Sequence, residues 1–204
     1  MTSPTNYSLT LTRKISDAIN NQTFHHHYHI LFDIAATYPD EYLLNYLEIG
    51  CYAGGSACLL LHRPNTDVTS IDLGIPIDEN IVKHNIDSLN LHNNNFRYIK
   101  GNSKEKSTYS RVSDKLYDII FIDGDHSYSG VISDFEMYST LIKENGYIIF
   151  DDYNDSKYSP QVKLAVDFII SNLTEYEVIG TIPNLLGARP IELTEGNLFI
   201  LRKI

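Results

Sequence analysis

The stretch that decides the fold is residues 46–56, which read YLEIGCYAGGS. A strand-like apolar run ends at Gly50, and a Gly-Gly pair follows just before a helical pattern begins. Glycines at such a turn allow a tight bend and a close approach of the backbone to a ligand. The first turn of the new helix presents free N–H groups. We therefore predict an α/β sheet in which residues 50–56 form a ligand-binding loop.

Short β-rich runs alternate with longer helical patterns around this loop, which is typical of βαβ units and a mostly parallel sheet. Continuous apolar runs such as IIFI and YIIF suit central strands that helices cover on both faces. The pattern predicts a doubly wound sheet with strands at 45–51, 67–73, 96–100, 117–123, 146–151, 177–182 and 197–203. It predicts helices over residues 11–19, 24–38, 78–90, 104–114, 128–144 and 160–173.

Length and charge limit the class of protein. The chain has 204 residues and a net charge of −10, which suits one domain with residues 1–44 as a helical flank or lid and 45–204 as the sheet. The acidic balance, without a run of Lys or Arg, argues against a nucleic-acid partner. No apolar stretch approaches the roughly 20 residues of a membrane span. With no visible secretory signal and two cysteines outside metal-ligand spacing, we expect a cytoplasmic protein with reduced thiols.

The second predicted strand ends in an acid, Asp72, which lies 22 residues after Gly50. An acid at this position fits the hydroxyls of a ribose. A dinucleotide site would carry Gly-x-Gly-x-x-Gly, whereas here Glu48 precedes a loop that is one residue longer. Either feature alone also occurs in a structural turn or a helix cap. Together, and in this order, they favour an adenosyl ligand.

A second group of polar residues follows the fourth and fifth predicted strands, which run into IDGDH and FDDYND. The carboxyl ends of neighbouring parallel strands meet at one edge of the sheet, so Asp123, Asp151 and Asp152 should converge. Three adjacent carboxylates cannot all stay ionised without a cation, and oxygen ligands suit Mg²⁺. His126 could act as the general base on a substrate hydroxyl, or could simply cap a helix.

The acidity of the chain is concentrated around these strand ends. Residues 118–155 carry nine acids and one base, so eight of the ten net negative charges lie there. We interpret the functional part of this charge as a cation site. We expect the remaining acids to be solvated: Asp118, Asp125, Asp134, Glu136, Glu144 and Asp155.

With these motifs in place, residues 45–204 resemble the class I S-adenosylmethionine-dependent methyltransferases, including a last strand antiparallel to the rest. By this resemblance Gly50 and its neighbours lie near the methionine part of the cofactor, Asp72 accepts both ribose hydroxyls, and residues 101–103 lie beside the adenine. The resemblance implies these cofactor-binding residues: Glu48, Gly50, Cys51, Tyr52, Gly54, Gly55, Ser56, Asp72, Leu73, Asn102, Ser103 and Asp123.

The Asp-x-x-His and Asp-Asp patterns resemble the branch with macrocin-type sugar O-methyltransferases and cephalosporin-pathway methyltransferases. This resemblance implies Asp123, Asp151 and Asp152 as Mg²⁺ ligands and His126 with Asp123 as the catalytic residues. It also implies a small hydroxylated acceptor, with a sugar or glycosylated metabolite favoured. Members of this branch often assemble, so a homo-oligomer is a possible state and the oligomeric state stays open. The alternatives are a catechol-type phenol acceptor, a nicotinamide-dependent oxidoreductase, and a cofactor-binding protein without turnover.

A run of histidines, His25 to His27 with His29, also has the residue type of a metal site. Adjacent side chains on a helix point about 100° apart and cannot share one ion. His25 and His29 could do so, but no third ligand lies nearby in the sequence. We expect these histidines to line a lid, a substrate entrance or an oligomer contact.

Overall fold

The computed structural model describes residues 6–19, 26–182 and 197–204. The strands are β1 (Leu44–Ile49), β2 (Thr66–Asp72), β3 (Asn95–Lys100), β4 (Tyr117–Ile122), β5 (Ile142–Phe150), β6 (Tyr176–Thr181) and β7 (Phe199–Lys203). The α-helices are α1 (Asn6–Ala18), α2 (His29–Ala35), α3 (Gly55–Leu60), α4 (Glu79–Leu89), α5 (Lys106–Tyr109), α6 (Tyr128–Tyr138) and α7 (Pro160–Ser171). Short 3₁₀ turns precede α2 at His26–Tyr28 and follow α6 at Ser139–Leu141.

The strands form one sheet in the order β3-β2-β1-β4-β5-β7-β6. β7 pairs antiparallel with both β5 and β6, while the pairs from β3 through to β5 are parallel. The order reverses between β1 and β4, and a ligand crevice is expected at such a point, beyond the carboxyl ends of the strands. The predicted fold class is confirmed.

Two hydrophobic cores lie on the two faces of the sheet, because successive residues of a buried strand point to opposite faces. Tyr46 of β1 belongs to the core beneath helices α1 to α4, and its neighbour Leu47 belongs to the core beneath α6 and α7. In β4, Phe121 and Ile122 divide between the same two cores. The central strands are therefore mostly apolar on both faces, and the exceptions, Glu48 in β1 and Asp118 in β4, are buried and hydrogen-bonded.

The predicted strand bounds agree with the structure to within about two residues, except at β5. Residues 142–144 were assigned to the end of a helix, but α6 ends at Tyr138 and β5 begins at Ile142, which pairs with Tyr117. The side chain of Ile142 continues the apolar spacing of α6, so periodicity alone cannot separate the last helical turn from the first strand residue. The helix predicted for 104–114 is reduced to α5.

The predicted N-terminal flank is helical where it is described, and α1 and α2 contact α3. A buried arginine, Arg63, joins this flank to the sheet. Its guanidinium donates hydrogen bonds to carbonyl oxygens of Ala35, Tyr38 and Tyr42. These bonds fix the end of α2 and the segment that follows it. Within the described ranges, no helix is long and apolar enough to cross a membrane.

Candidate active site

A cavity of about 480 Å³ lies beyond the carboxyl ends of β1, β2, β3 and β4, at the expected crevice. Its position follows from the reversal of strand order between β1 and β4. The lining residues are Ile49, Gly50, Tyr52, Ile71, Asp72, Leu73, Ile75, Gly101, Asn102, Ser103, Lys104, Asp123, Gly124 and Asp125. Seven of the predicted cofactor-binding residues are among them: Gly50, Tyr52, Asp72, Leu73, Asn102, Ser103 and Asp123.

The first glycine of the loop is required by the backbone of a neighbouring strand. Gly50 has a φ of 89°, and a Cβ built on it would lie 2.0 Å from the carbonyl oxygen of Asp123. Next to this contact, the Asp123 N–H donates a hydrogen bond of 2.8 Å to the carbonyl oxygen of Ile49. Gly50 therefore lets the ends of β1 and β4 approach each other at the base of the cavity.

The carboxyl group of Asp72, at the end of β2, binds the backbone of the loop that follows β1. Oδ2 of Asp72 accepts hydrogen bonds from the backbone N–H groups of Cys51 and Tyr52, at 2.8 and 2.9 Å, and Oδ1 accepts one from Gly74. A carboxylate offers about four acceptor positions, so about one remains for a ligand. Asp72 also lines the cavity, and its contact with both ribose hydroxyls stays a prediction.

Five predicted cofactor residues are not among those lining the cavity: Glu48, Cys51, Gly54, Gly55 and Ser56. Glu48 is fully buried, and Ser56, Ser70 and Tyr46 donate their hydroxyl hydrogens to its carboxyl oxygens. Burial raises the pKa of Glu48, and these hydrogen bonds oppose the shift. In this arrangement Glu48 ties the end of β1 to the start of α3 and supports the loop from behind.

Two charged residues at the cavity were missed from the sequence. Lys104 and Asp125 both line it, and the Lys104 ammonium forms an ion pair with Asp125. The hydrogen bond from Lys104 and the N–H of Ser127 lower the pKa of Asp125 to about 2. Asp125 was expected to be a solvated loop acid, and no local sequence signal marks its pairing with a lysine 21 residues away.

The three predicted acids converge as expected, and His126 joins two of them. Its Nε2 lies 3.2 Å from Oδ1 of Asp123, and its Nδ1 lies 3.3 Å from Oδ2 of Asp152. Ser159 lies between His126 and Asp152. Its hydroxyl oxygen is 3.0 Å from Nδ1 of His126 and 2.8 Å from Oδ2 of Asp152. Asp152 has a φ of 57°, an unfavourable conformation for a residue with a side chain.

Residues before α2 complete this group, which we call the acid cluster (Asp123, Asp151 and Asp152 with their partners). A hydrogen bond of 2.7 Å joins Nε2 of His27 to Oδ1 of Asp151. The Tyr28 hydroxyl donates to Oδ2 of Asp123 at 2.8 Å and lies 3.3 Å from Oδ2 of Asp151.

The electrostatics of the acid cluster favour one protonated histidine. Burial lowers the pKa of His126, but its hydrogen bond to Asp123 and the charges of Asp123, Asp152 and Asp151 outweigh this and raise the pKa to about 9. Burial and the Asp151 charge raise the pKa of Asp123, and His126 opposes that shift. Near neutral pH the imidazolium of His126 is thus a cation that partly compensates the three acids.

The predicted Mg²⁺ ligands do not fit a metal ion in this arrangement. All six of their carboxyl oxygens lie at hydrogen-bonding distance from protein groups, those of His27, Tyr28, His126, Ser159, Asn197 and the Asp152 backbone. Among the residues that the structure describes, no group of three or more His, Cys, Asp or Glu side chains could hold a metal ion. We therefore derive no catalytic step through magnesium.

Two expectations about polar residues are corrected, those for Asp118 and Asp134. His27 and His29 are buried, with His29 hydrogen-bonded to Asp33, and His25 lies outside the described residues, so a place at a lid, a substrate entrance or an oligomer contact stays a prediction. Asp118, expected in solvent, is buried and bonded to Lys143 and Tyr42. Asp134 is buried as well. One partner of Asp118, Tyr42, lies 76 residues away, so the local sequence does not show this contact.

Comparison with known proteins identifies the family. Residues 47–153 match the family described as "Methyltransferase domain", which is more than half of the chain. The chain is also 36% identical over 206 residues to an uncharacterised protein of Acanthamoeba polyphaga mimivirus, covering 93% of this chain and 92% of that protein.

Solved structures share the fold at low sequence identity. A Staphylococcus aureus protein assigned as a caffeoyl-CoA O-methyltransferase has a TM-score of 0.67 and 22% identity, covering 87% of this chain and 82% of its own. A Bacillus cereus O-methyltransferase in complex with S-adenosylhomocysteine has a TM-score of 0.64 and 17% identity, covering 96% and 90%. The chain belongs to the methyltransferase-domain family, and its sheet is the Rossmann-like fold of the S-adenosylmethionine-dependent methyltransferases.

Proposed function

We propose that this protein is an S-adenosylmethionine-dependent O-methyltransferase that acts on a hydroxyl group of a small acceptor. The observation that carries the proposal is the position of Asp123. Asp123 lines the cavity at the β1–β4 crevice, and its carboxyl group is hydrogen-bonded to His126. One residue therefore connects the cofactor cavity to a group that can transfer protons.

The cavity fits the proposed cofactor. Asp72 keeps about one acceptor position for a ribose hydroxyl, and Gly50 and Gly124 leave room along the wall. Leu73 and Ile75 are exposed apolar side chains at its edge, which suits the faces of an adenine ring. When bound, the cofactor supplies an electrophilic methyl group on a sulfonium. The chain's own task is to exclude water, orient the acceptor and accept its proton.

His126 is the proposed proton acceptor, as the sequence predicted. The acceptor oxygen forms its bond to the methyl carbon as the carbon–sulfur bond breaks, and the hydroxyl proton passes to the ring. Because the pKa of His126 is raised to about 9, most rings already hold a proton at neutral pH. The rate of methyl transfer should then rise with pH towards about 9, as the neutral ring becomes more abundant.

For the acceptor we propose a sugar or a glycosylated metabolite, with a catechol-type phenol as the alternative. Tyr52 lines the cavity, and Tyr128 lies two residues after His126 with about a third of its surface exposed. Aromatic faces of this kind can pack against the apolar face of a sugar ring or an aromatic ring. The proposal includes no nucleic acid or membrane partner, and it leaves assembly into homo-oligomers to be measured by light scattering.

The acid cluster does not support magnesium assistance of the methyl transfer. The carboxyl oxygens that would bind the ion are bound to protein groups instead. Full methyl transfer in the presence of EDTA is the expected result. Loss of activity with EDTA, restored by Mg²⁺, would return the three acids to the role of ligands.

The proposal is tested by ligand binding before any acceptor is known. S-adenosylhomocysteine should bind in calorimetry and raise the melting temperature, and NAD should do neither. Asp72→Asn should weaken this binding by about tenfold, since a hydrogen bond to a charged group is removed and the loop loosens. Asp67→Asn is the matched control, because Asp67 lies at the other end of β2 and pairs with Lys115. Binding of NAD in place of S-adenosylhomocysteine would overturn the proposal in favour of an oxidoreductase.

Acceptors are then screened by transfer of a labelled methyl group to sugars, glycosylated metabolites and catechols. Binding of S-adenosylhomocysteine with no transfer to any hydroxyl compound would support the third alternative, a cofactor-binding protein without turnover.

A further inference from the structure

His27 and Tyr28, the two residues before α2, contact the acid cluster. The role that we assign to them rests on the proposed function. We propose that His27 and Tyr28 occupy the place of a divalent cation between Asp151 and Asp123, so that methyl transfer by this protein needs no metal ion. In this role both are positioning residues, which hold the carboxyl groups that face His126.

The contacts place Tyr28 where a bridging ion would lie. Its hydroxyl oxygen is 2.8 Å from Oδ2 of Asp123 and 3.3 Å from Oδ2 of Asp151, so one atom joins the ends of β4 and β5. His27 binds the other oxygen of Asp151 at 2.7 Å. A Mg²⁺ ion would need these same carboxyl oxygens as its ligands.

Tyr28 is held as a donor by its surroundings. Its ring packs edge-on against Phe121, with centroids 5.6 Å apart, and its side chain is buried. Burial and the charges of Asp123 and Asp151 raise the pKa of Tyr28 well above its usual value, so the hydroxyl keeps its proton. The Arg63 hydrogen bonds to the carbonyls that follow α2 fix this segment against the sheet.

The charge of the acid cluster is met without an ion. Both ring nitrogens of His126 face carboxylates, Asp123 on one side and Asp152 on the other. Asn197 and Ser159 donate to the two oxygens of Asp152. Within the described residues, every carboxyl oxygen of the acid cluster thus lies at hydrogen-bonding distance from a protein group, which lowers its need for a divalent cation.

Binding of Mn²⁺, measured by calorimetry on the full chain, tests the proposal without an activity assay. The wild-type protein should show no saturable Mn²⁺ binding up to millimolar concentration. Tyr28→Phe keeps the ring and its packing but releases Oδ2 of Asp123 and of Asp151. Because a hydrogen bond to a charged group is lost, saturable Mn²⁺ binding should appear below millimolar concentration, a gain in affinity of about tenfold or more over the wild type.

Tyr46→Phe is the matched control. Tyr46 is also a fully buried tyrosine whose hydroxyl donates to a carboxylate, that of Glu48, but it lies outside the acid cluster. Its loss should leave Mn²⁺ affinity unchanged, although it removes the same kind of bond. A gain in both variants would mean a general loosening of the protein and would overturn the role of Tyr28.

Two further outcomes decide the proposal. Saturable binding of one Mn²⁺ by the wild-type protein, abolished in Asp151→Asn, would overturn it. No gain in a folded Tyr28→Phe variant would overturn the claim that Tyr28 stands in place of the ion. Failure of the proposed function is seen separately, as a lack of S-adenosylhomocysteine binding, whatever the Mn²⁺ result.

Discussion

The carboxyl group of Asp134 offers the clearest test of how burial affects this protein. The side chain lies on α6 with 1% of its surface exposed, and neither oxygen has a hydrogen-bond partner in the described part of the chain. Burial raises its pKa from 3.8 to about 6, and the neighbouring Ser103 and Lys104 only partly oppose the shift. We predict that Asp134→Asn stabilises the protein, because an amide of nearly the same shape removes the ionisation.

The size of the effect follows from the pKa shift. A carboxyl group with a raised pKa holds its proton more tightly in the folded state, so stability falls as pH rises from about 3.8 to about 6. The full shift lowers the free energy of unfolding by about 3 kcal/mol near pH 8. Near pH 5 the loss is about half as large. The variant should therefore exceed the wild type by up to about 3 kcal/mol near pH 8 and by about 1.5 kcal/mol near pH 5.

Urea unfolding at several pH values, followed by circular dichroism because the chain has no tryptophan, measures this difference. Asp125→Asn is the matched control with the opposite sign. The pKa of Asp125 is lowered to about 2, so this variant should lose stability above about pH 4. A difference between Asp134→Asn and wild type that does not change from about pH 5 to about pH 8, or a variant less stable than wild type, would refute the reasoning.

Three further predictions concern the loop, the proton acceptor and the flank. Gly50→Ala places a Cβ 2.0 Å from the Asp123 carbonyl and should abolish S-adenosylhomocysteine binding in calorimetry. Gly180→Ala has a similar positive φ but no atom within 4 Å, and should cost only about 1–2 kcal/mol in urea unfolding. His126→Gln should slow methyl transfer by about 10²–10⁴-fold and remove the rise of the rate towards about pH 9, with S-adenosylhomocysteine affinity changed little. Arg63→Lys should destabilise the protein by about 2–4 kcal/mol, because a lysine cannot reach the several carbonyls that the guanidinium binds.

Much of the fold could be predicted from the sequence because the central strands are buried on both faces. Apolar runs such as residues 119–122 and 147–150 end abruptly at an acid, Asp123 and Asp151 respectively. Prediction from the sequence failed in two places. At Ile142 the same apolar spacing fits the last turn of a helix and the first residue of a strand. The helix predicted for residues 104–114 is much shorter in the structure, where α5 spans Lys106–Tyr109.

The candidate site divides in the same way. Acids that directly follow parallel strands must meet at one edge of the sheet, and their order along the chain was enough to bring Asp123, Asp151 and Asp152 together. The sequence could not show which acids are buried. Asp134 and Asp118 lie in ordinary amphipathic contexts, and their burial depends on elements packed from elsewhere.

The sequence by itself determined the loop, the sheet and the set of acids, because these depend on local apolar runs and on the direction of parallel strands. Only the tertiary structure decided what balances the acids. Tyr28 and His27 are 95 and 124 residues away from the carboxyl groups that they bind, so no spacing in the sequence reports the contact. A cluster of carboxylates requires compensation, but whether an ion or the chain itself provides it depends on which side chains the fold brings within hydrogen-bonding distance.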